Sequence, residues 1–155
     1  MNTILVIGLG NRWRGDDAAG PLVLDGLRRQ QLDAVELLES PGDSLSLVNA
    51  WADRDTVYLI DACYDDGLAD GSILTIDNAL DSSDALQSLR HPTSSHVLDV
   101  EQAIGLSRAM GNTPERLTVY AVSGSQFAPG SEPGTAVLSA VDSVVCRLVE
   151  ILSLG

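Results

Sequence analysis

The sequence is short of basic residues, aromatic residues and cysteine. It has nine Lys and Arg against 22 Asp and Glu, which gives a formal charge of −13. Nucleic acids and anionic membranes are bound through basic surface, so this balance argues against both as partners. The two cysteines, far apart in the chain, form no disulfide framework. We therefore expect a reducing, cytoplasmic environment.

Long apolar runs and repeats are absent as well. No apolar stretch approaches the roughly 20 residues that a membrane-spanning helix needs. The first one is too short for the core of a signal peptide and lacks a basic leader. Hydrophobic residues make up 45% of the chain and aromatic residues only 4%, which is typical of a Leu-, Val- and Ala-rich α/β core. The 155 residues predict a single domain, 1–155.

The most informative stretch is residues 4–20, ILVIGLGNRWRGDDAAG. Its apolar start is typical of a strand buried on both faces of a parallel sheet. Two glycines then allow a tight turn, and two adjacent acids, Asp16 and Asp17, precede a helix. A phosphate site would leave the helix N-terminus open to an anion, and the G-x-G-x-x-G fingerprint is not met. The acids favour a cation instead, and we expect one to cap the helix and the other to serve a second role.

The rest of the chain alternates between predicted strands and helices. Strands are predicted at 4–7, 34–38, 56–60, 72–76 and 116–122, and helices from the first turn to about Gln30 and at 44–51, 95–110 and 135–154. The polar stretch 77–95 has room for one short helix. Strand 72–76 follows 56–60 too closely for a crossover helix, so we expect it to be an antiparallel hairpin partner at the sheet edge. The pattern predicts an α/β fold with a mostly parallel five-stranded sheet.

Three candidate ligands lie where these elements meet. Asp17 follows the first strand, Asp61 ends the third, and His96 begins a helix after the polar stretch. Ligand sites of open α/β sheets collect at the carboxyl ends of strands, so we expect the three to converge. Two carboxylates and an imidazole suit a divalent ion such as zinc, nickel or cobalt. No spacing motif such as H-E-x-x-H adds support, and His91 competes with His96 as ligand.

Plainer roles stay open for several of these residues. The alternative for Asp61 is that it only caps a turn, and Cys63 is either a soft ligand or a small buried residue. Cys146 lies in an apolar helix and is expected in the core. Arg12 and Arg14 are expected to be solvated, or else to grip a substrate carboxylate beside the acidic site.

Several motifs resemble those of the hydrogenase maturation endopeptidases. The stretch GLGNRWRGDDAAGPLV is similar to the opening signature of that family, in which a glycine turn and Asn precede an acidic doublet and Gly. The strand ending LIDAC follows, then Ser94-Ser95-His96 before a helix, and then VYAVSGSQFAPG before a terminal helix. These separated motifs occur in the family's order along nearly the whole chain, which makes the resemblance specific.

The resemblance implies a fold, an activity and a set of site residues. The family has a three-layer α/β/α fold with a five-stranded sheet, and removes a short C-terminal extension from the large subunit of nickel–iron hydrogenase after nickel insertion. Its metal-contacting residues fall on Asp17, Asp61 and His96. The acid before the first ligand falls on Asp16, and the acid after the second strand falls on Glu39. The family often has Glu at Asp17 and Asp at Glu39, and both differences keep the charge.

The resulting hypothesis is a metal-dependent endopeptidase. Asp17, Asp61 and His96 are expected to recognise nickel held by the hydrogenase precursor, and Asp16 to orient a ligand or act as a general base. The nickel is expected to arrive with the precursor, while the isolated protein is expected to bind another divalent metal weakly. One alternative is a non-catalytic nickel-binding assembly chaperone. A less favoured one is a peptidyl-tRNA hydrolase, which also begins with Gly-Leu-Gly-Asn but needs a basic face for tRNA.

Overall fold

A five-stranded sheet organises the chain in the structure, a computed structural model that describes residues 3–90 and 96–154, without the side chains of residues 96–98. The strands of the described residues are β1 (Ile4–Leu9), β2 (Val35–Ser40), β3 (Thr56–Cys63), β4 (Ile73–Ile76) and β5 (Arg116–Ser123). The α-helices are α1 (Ala19–Arg28), α2 (Ser44–Trp51), α3 (Ser83–Ser88), α4 (His96–Met110) and α5 (Thr135–Ser153). Short 3₁₀ turns lie at Gly15–Ala18 and Ala79–Asp81.

The strand order is β2-β1-β3-β5-β4, with β4 antiparallel to β5 and the other pairs parallel. The predicted α/β fold class is therefore confirmed. The prediction that 72–76 pairs with the third strand is wrong, because β4 pairs with β5. The reason is that β3 lies between β1 and β5 and is paired with β5 along its whole length, from Thr56 opposite Arg116 to Cys63 opposite Ser123.

Alternating side chains of the strands divide the core into two halves. One face of the sheet packs with α2, α3 and α4, and includes Leu5, Ile7 and Leu59. The other face packs with α1 and α5, and includes Val6 and Ile60. Burial of one such aliphatic side chain contributes about 1.5–3 kcal/mol. The two halves enclose the sheet between helices, which is the predicted three-layer α/β/α arrangement.

The helices α2 and α4, on one face of the sheet, are held by specific contacts. Trp51 of α2 is fully buried and donates its indole N–H to Ser107 Oγ of α4 at 2.7 Å, which joins the two helices. Asp43 caps the start of α2, since its side chain accepts a hydrogen bond from the N–H of Ser46. Within residues 3–90 and 96–154, no helix is long and apolar enough to cross a bilayer.

Three local predictions are wrong. Asp61 lies within β3 and does not end it, because Asp61, Ala62 and Cys63 continue the pairing with β5. Here strand pairing outweighs the low β-propensity of Asp. Neither acid of the doublet caps α1, since both lie in the preceding 3₁₀ turn and the helix start has no side-chain cap. Cys146 is exposed, because it is one residue beyond Val145 and its side chain turns away from the buried stripe of α5.

Candidate active site

The turn after β1 folds back over the Asp17 side chain. Gly10 adopts a positive φ of 125°, and a Cβ there would lie 2.1 Å from the carbonyl oxygen of Asp17. The Asn11 N–H donates to Asp17 Oδ2 at 3.0 Å, while the Asn11 side chain accepts from the N–H of Trp13 at 2.9 Å. The glycine and asparagine of the motif therefore shape the turn around this carboxylate, which is only 3% exposed.

Asp61 reaches the same edge of the sheet from β3. Its neighbour Ile60 pairs with Gly8 of β1, so Asp61 lies beside the carboxyl end of β1. Its Oδ1 accepts from the N–H of Ala62 at 2.8 Å, and the residue is 9% exposed. The 3₁₀ turn that contains Asp17 packs against β3. The structure thus brings Asp17 and Asp61, both buried, to one edge of the sheet, while their convergence with His96 on a metal stays a prediction.

The backbone of α4 also begins at this edge. Because α4 leads into β5, which is parallel to β1 and β3, its first residue, His96, lies at the carboxyl ends of the strands. The helix packs on the face of the sheet toward which alternation directs Asp61. The His96 side chain and the whole of His91 lie outside the described residues, so the choice between them stays a prediction.

Asp16 has a different set of contacts from its neighbour. Its Oδ2 accepts from the N–H groups of Ser125 and Gln126, both at 2.9 Å, and its Oδ1 accepts from the N–H of Gly134 at 2.8 Å. The carboxylate is 1% exposed, and the Asp16 N–H returns a bond to Gln126 O at 2.7 Å. A carboxylate has about four lone-pair sites, and three are occupied by these donors. Asp16 therefore fastens the loop after β5 to the turn after β1.

The loop that Asp16 holds, residues 124–134, has further bonds to the same turn. The N–H of Gly15 donates to Ser131 O at 3.0 Å, and the N–H of Gly130 donates to Trp13 O at 2.7 Å. Arg14 donates from Nε to Phe127 O at 3.2 Å. Arg14 is half-buried and therefore only partly solvated, and its grip on a substrate carboxylate stays a prediction. The two segments form one hydrogen-bonded wall beside the buried carboxylates.

Arg12 links three elements at the other side of the turn. Both of its terminal nitrogens donate to the Asp25 carboxylate at 2.8 Å, and Nε donates to Glu39 at 2.9 Å. These hydrogen bonds raise the pKa of Arg12 and lower that of Asp25. Arg12 is thus half-buried and paired within the protein, not merely solvated, and its grip on a substrate carboxylate stays a prediction. The sequence motif does not indicate Asp25, which lies further along, in α1. The one local signal for a charged contact at Asp25 is its three-residue spacing to Arg28, with which it also forms an ion pair.

Cys63 is 3% exposed, close to the end of β3. Burial, together with the nearby charges of Asp61 and Asp65, raises the pKa of its thiol to about 11. A thiol that keeps its proton at neutral pH is a poor nucleophile. Its burial fits the plainer interpretation of a small buried residue, while its role as a soft ligand stays a prediction. Across the described residues, no three His, Cys, Asp or Glu side chains form a metal-ligand set.

Both a curated protein and solved structures are similar to this chain. No family model matches the chain. The hydrogenase 2 maturation protease of Escherichia coli (strain K12) is 26% identical over 121 residues, covering 77% of this chain and 71% of that protein. Among solved structures, the hydrogenase maturating endopeptidase HybD from E. coli covers 97% of this chain and 92% of its own, with a TM-score of 0.82 and 24% identity.

A second solved structure agrees with the first. The [NiFe] hydrogenase maturation protease HybD from Thermococcus kodakarensis aligns with a TM-score of 0.76 and 19% identity, and covers 97% of this chain and 99% of that one. The solved structures bear out the fold, and the curated relative adds similarity of sequence. The resemblance indicated by the separated motifs is therefore confirmed: this chain is similar, along nearly its whole length, to the hydrogenase maturation endopeptidases.

Proposed function

We propose that this protein is an endopeptidase of hydrogenase maturation. Its substrate is the precursor of a nickel–iron hydrogenase large subunit, from which it removes the C-terminal extension after nickel insertion. One observation supports this most: Asp17 and Asp61 are both buried at the edge of the sheet where β1 ends and β3 approaches its end. Carboxylate oxygens at such an edge are suitable ligands for a divalent cation.

The proposed ligand set is Asp17, Asp61 and His96, which contact nickel carried by the precursor. The nickel belongs to the substrate in this proposal, and other divalent ions bind the isolated protein weakly. Such an ion supplies Lewis-acid activation of a carbonyl group or of water. The chain's own contribution is to orient the precursor, with Asp16 holding the wall beside the site. We place this reaction in the cytoplasm, in keeping with two cysteines that are not paired with each other.

The proposal is tested by incubating the purified protein with nickel-loaded precursor and with precursor that lacks nickel. Mass spectrometry of the large subunit is expected to show one cut in the loaded precursor and none in the apo form. Rapid cutting of the apo form would show that the acids do not sense nickel. A stable complex without any cut would identify an assembly chaperone.

Substitutions then assign the ligands. Asp17→Asn and Asp61→Asn keep the side-chain volume but remove the charge, and His96→Ala removes the imidazole. Each is expected to lower the rate of cleavage about 100-fold or more, since even residues that only support metal ligands contribute 10- to 100-fold. His91→Ala is the matched control and should cut at the wild-type rate, with thermal melts confirming that every variant folds. Normal cleavage by His96→Ala but not by His91→Ala would reverse the histidine assignment.

A further inference from the structure

Trp13 projects into solvent from the turn next to the proposed site. Its side chain is 76% exposed, although tryptophan is usually well buried. It lies four residues before Asp17, and four residues of chain span at most about 14 Å. We propose that Trp13 is the anchor by which this protein binds the folded surface of its protein substrate beside the scissile segment. This inference rests on the proposed function.

The backbone of Trp13 is fixed from both sides before any partner binds. Its N–H donates to Asn11 Oδ1 at 2.9 Å, and its carbonyl oxygen accepts from the N–H of Gly130 at 2.7 Å. The side chains on either side of it are held as well: Arg12 by Asp25 and Glu39, and Arg14 by the carbonyl of Phe127. An exposed aromatic ring on a rigid backbone loses little conformational entropy on binding, which is the property of an interface hot spot.

A projecting ring suits a protein partner better than a small molecule. Small ligands bind in concave pockets, whereas Trp at the centre of a protein interface fills a pocket on the other partner.

The charged side chains around Trp13 also indicate the charge of the surface that it contacts on the partner. Exposed acids follow the carboxyl ends of β3 and β5, namely Asp65, Asp66 and Glu132, and Glu39 near the end of β2 pairs with Arg12. The charge of Arg12 is offset by two carboxylates. The matching surface on the precursor is therefore an apolar pocket flanked by basic side chains.

The test compares Trp13→Ala with Met110→Ala. Met110 is 59% exposed and ends α4, whose last residue lies at the opposite edge of the sheet. With nickel-loaded precursor, Trp13→Ala is expected to raise KM about 30-fold, the effect of losing a hot-spot side chain, with kcat within twofold of wild type. Trp13→Phe should recover most of the affinity, Met110→Ala should leave KM unchanged, and all three should melt like the wild type.

Binding is measured separately, by surface plasmon resonance on immobilised nickel-loaded precursor. Cleavage by Trp13→Ala with the wild-type KM would overturn the anchor and leave the protease intact. Binding that depends on Trp13, without cleavage by any form, would support the anchor and overturn the protease. If the wild type neither binds nor cuts the precursor, both proposals are wrong.

Discussion

Asp16 and Asp17 are neighbours in the chain, yet their carboxylates meet different parts of the molecule. Asp17 accepts from Asn11 within its own turn, whereas Asp16 accepts from residues more than 100 positions away. One acid is thus positioned at the sheet edge and the other fastens the wall beside it. The geometry favours an orienting role for Asp16 over the alternative of a general base, since most of its lone pairs already accept backbone hydrogen bonds.

Asp16→Asn distinguishes these two roles. The amide keeps the shape but turns an NH₂ group toward backbone donors, which leaves at least one buried N–H without an acceptor. We expect the free energy of unfolding to fall by about 2–4 kcal/mol, measured by urea denaturation. Asp66→Asn, at an exposed acid, is the control and should change stability by less than about 0.5 kcal/mol. Wild-type stability together with lost cleavage would instead identify Asp16 as a chemical group of the reaction.

The residue types of the site could be predicted from the sequence, but their partners could not. The acidic doublet after a glycine turn indicates a cation site, and Asp17 and Asp61 lie buried at the same edge of the sheet. The contacts of Asp16 to Ser125 and of Arg12 to Asp25 depend on how distant segments pack. Local spacing contains no information on such contacts, so the arginine was assigned to solvent and the acid to a helix cap.

At the scale of elements, the close approach of α1 to the sheet places the acidic turn. Gly20, in the first turn of α1, lies so near β1 and β3 that a Cβ would be 2.3 Å from Leu9 O and 2.7 Å from Ile60 O. The helix therefore rests directly on strand backbone, without an intervening side chain. Asp16 and Asp17 lie immediately before α1. The contact of Gly20 with the strands therefore determines how close these two acids lie to the edge of the sheet.

Gly20→Ala should disturb this packing. The methyl group would overlap backbone atoms that cannot move independently, and we expect a loss of about 3 kcal/mol or more in the free energy of unfolding. Gly105→Ala is the matched control, since Gly105 lies in α4 with no atom within 4 Å of the position of a Cβ. That variant should gain about 0.5–1 kcal/mol from helix propensity alone. Equal unfolding midpoints for the two variants would contradict the close approach.

Hydrophobic patterning was sufficient to predict most elements and a mostly parallel sheet, because helices and buried strands have different patterns of apolar residues. It was insufficient for the edge of the sheet. The strand at Ile73–Ile76 is short and partly exposed, and its sequence is compatible with either neighbour. The pairing of β5 with β3 decides the outcome, since it leaves only the outer edge of β5 for β4. The position of β4 in the sheet therefore depends on which strands compete for the same partner, and the sequence pattern of a single strand does not predict it.

At the scale of the whole molecule, the charge of −13 is the property that composition alone established. It argued against nucleic acid and anionic membranes, and the same charge favours a basic partner. Exposed acids lie at the end of the sheet where β2, β3 and β5 finish, so this end of the molecule carries part of the negative charge. Charge of this kind acts over distances longer than any single contact, and it raises the rate at which partners of opposite charge meet.

Processing should therefore depend on salt. Raising the ionic strength from 0.01 M to 1 M shortens the screening length from about 30 Å to about 3 Å, so attraction between exposed charges fades before the partners touch. We expect kcat/KM for nickel-loaded precursor to fall by about tenfold or more over this range, while kcat at saturating precursor stays nearly constant, because steering acts on encounter and not on the bound complex. The measurement is a cleavage time course at several salt concentrations, with circular dichroism confirming that the fold persists. A kcat/KM that is flat or rises with salt would show that the precursor presents a neutral or acidic surface to this edge, and that apolar contacts such as that of Trp13 govern association.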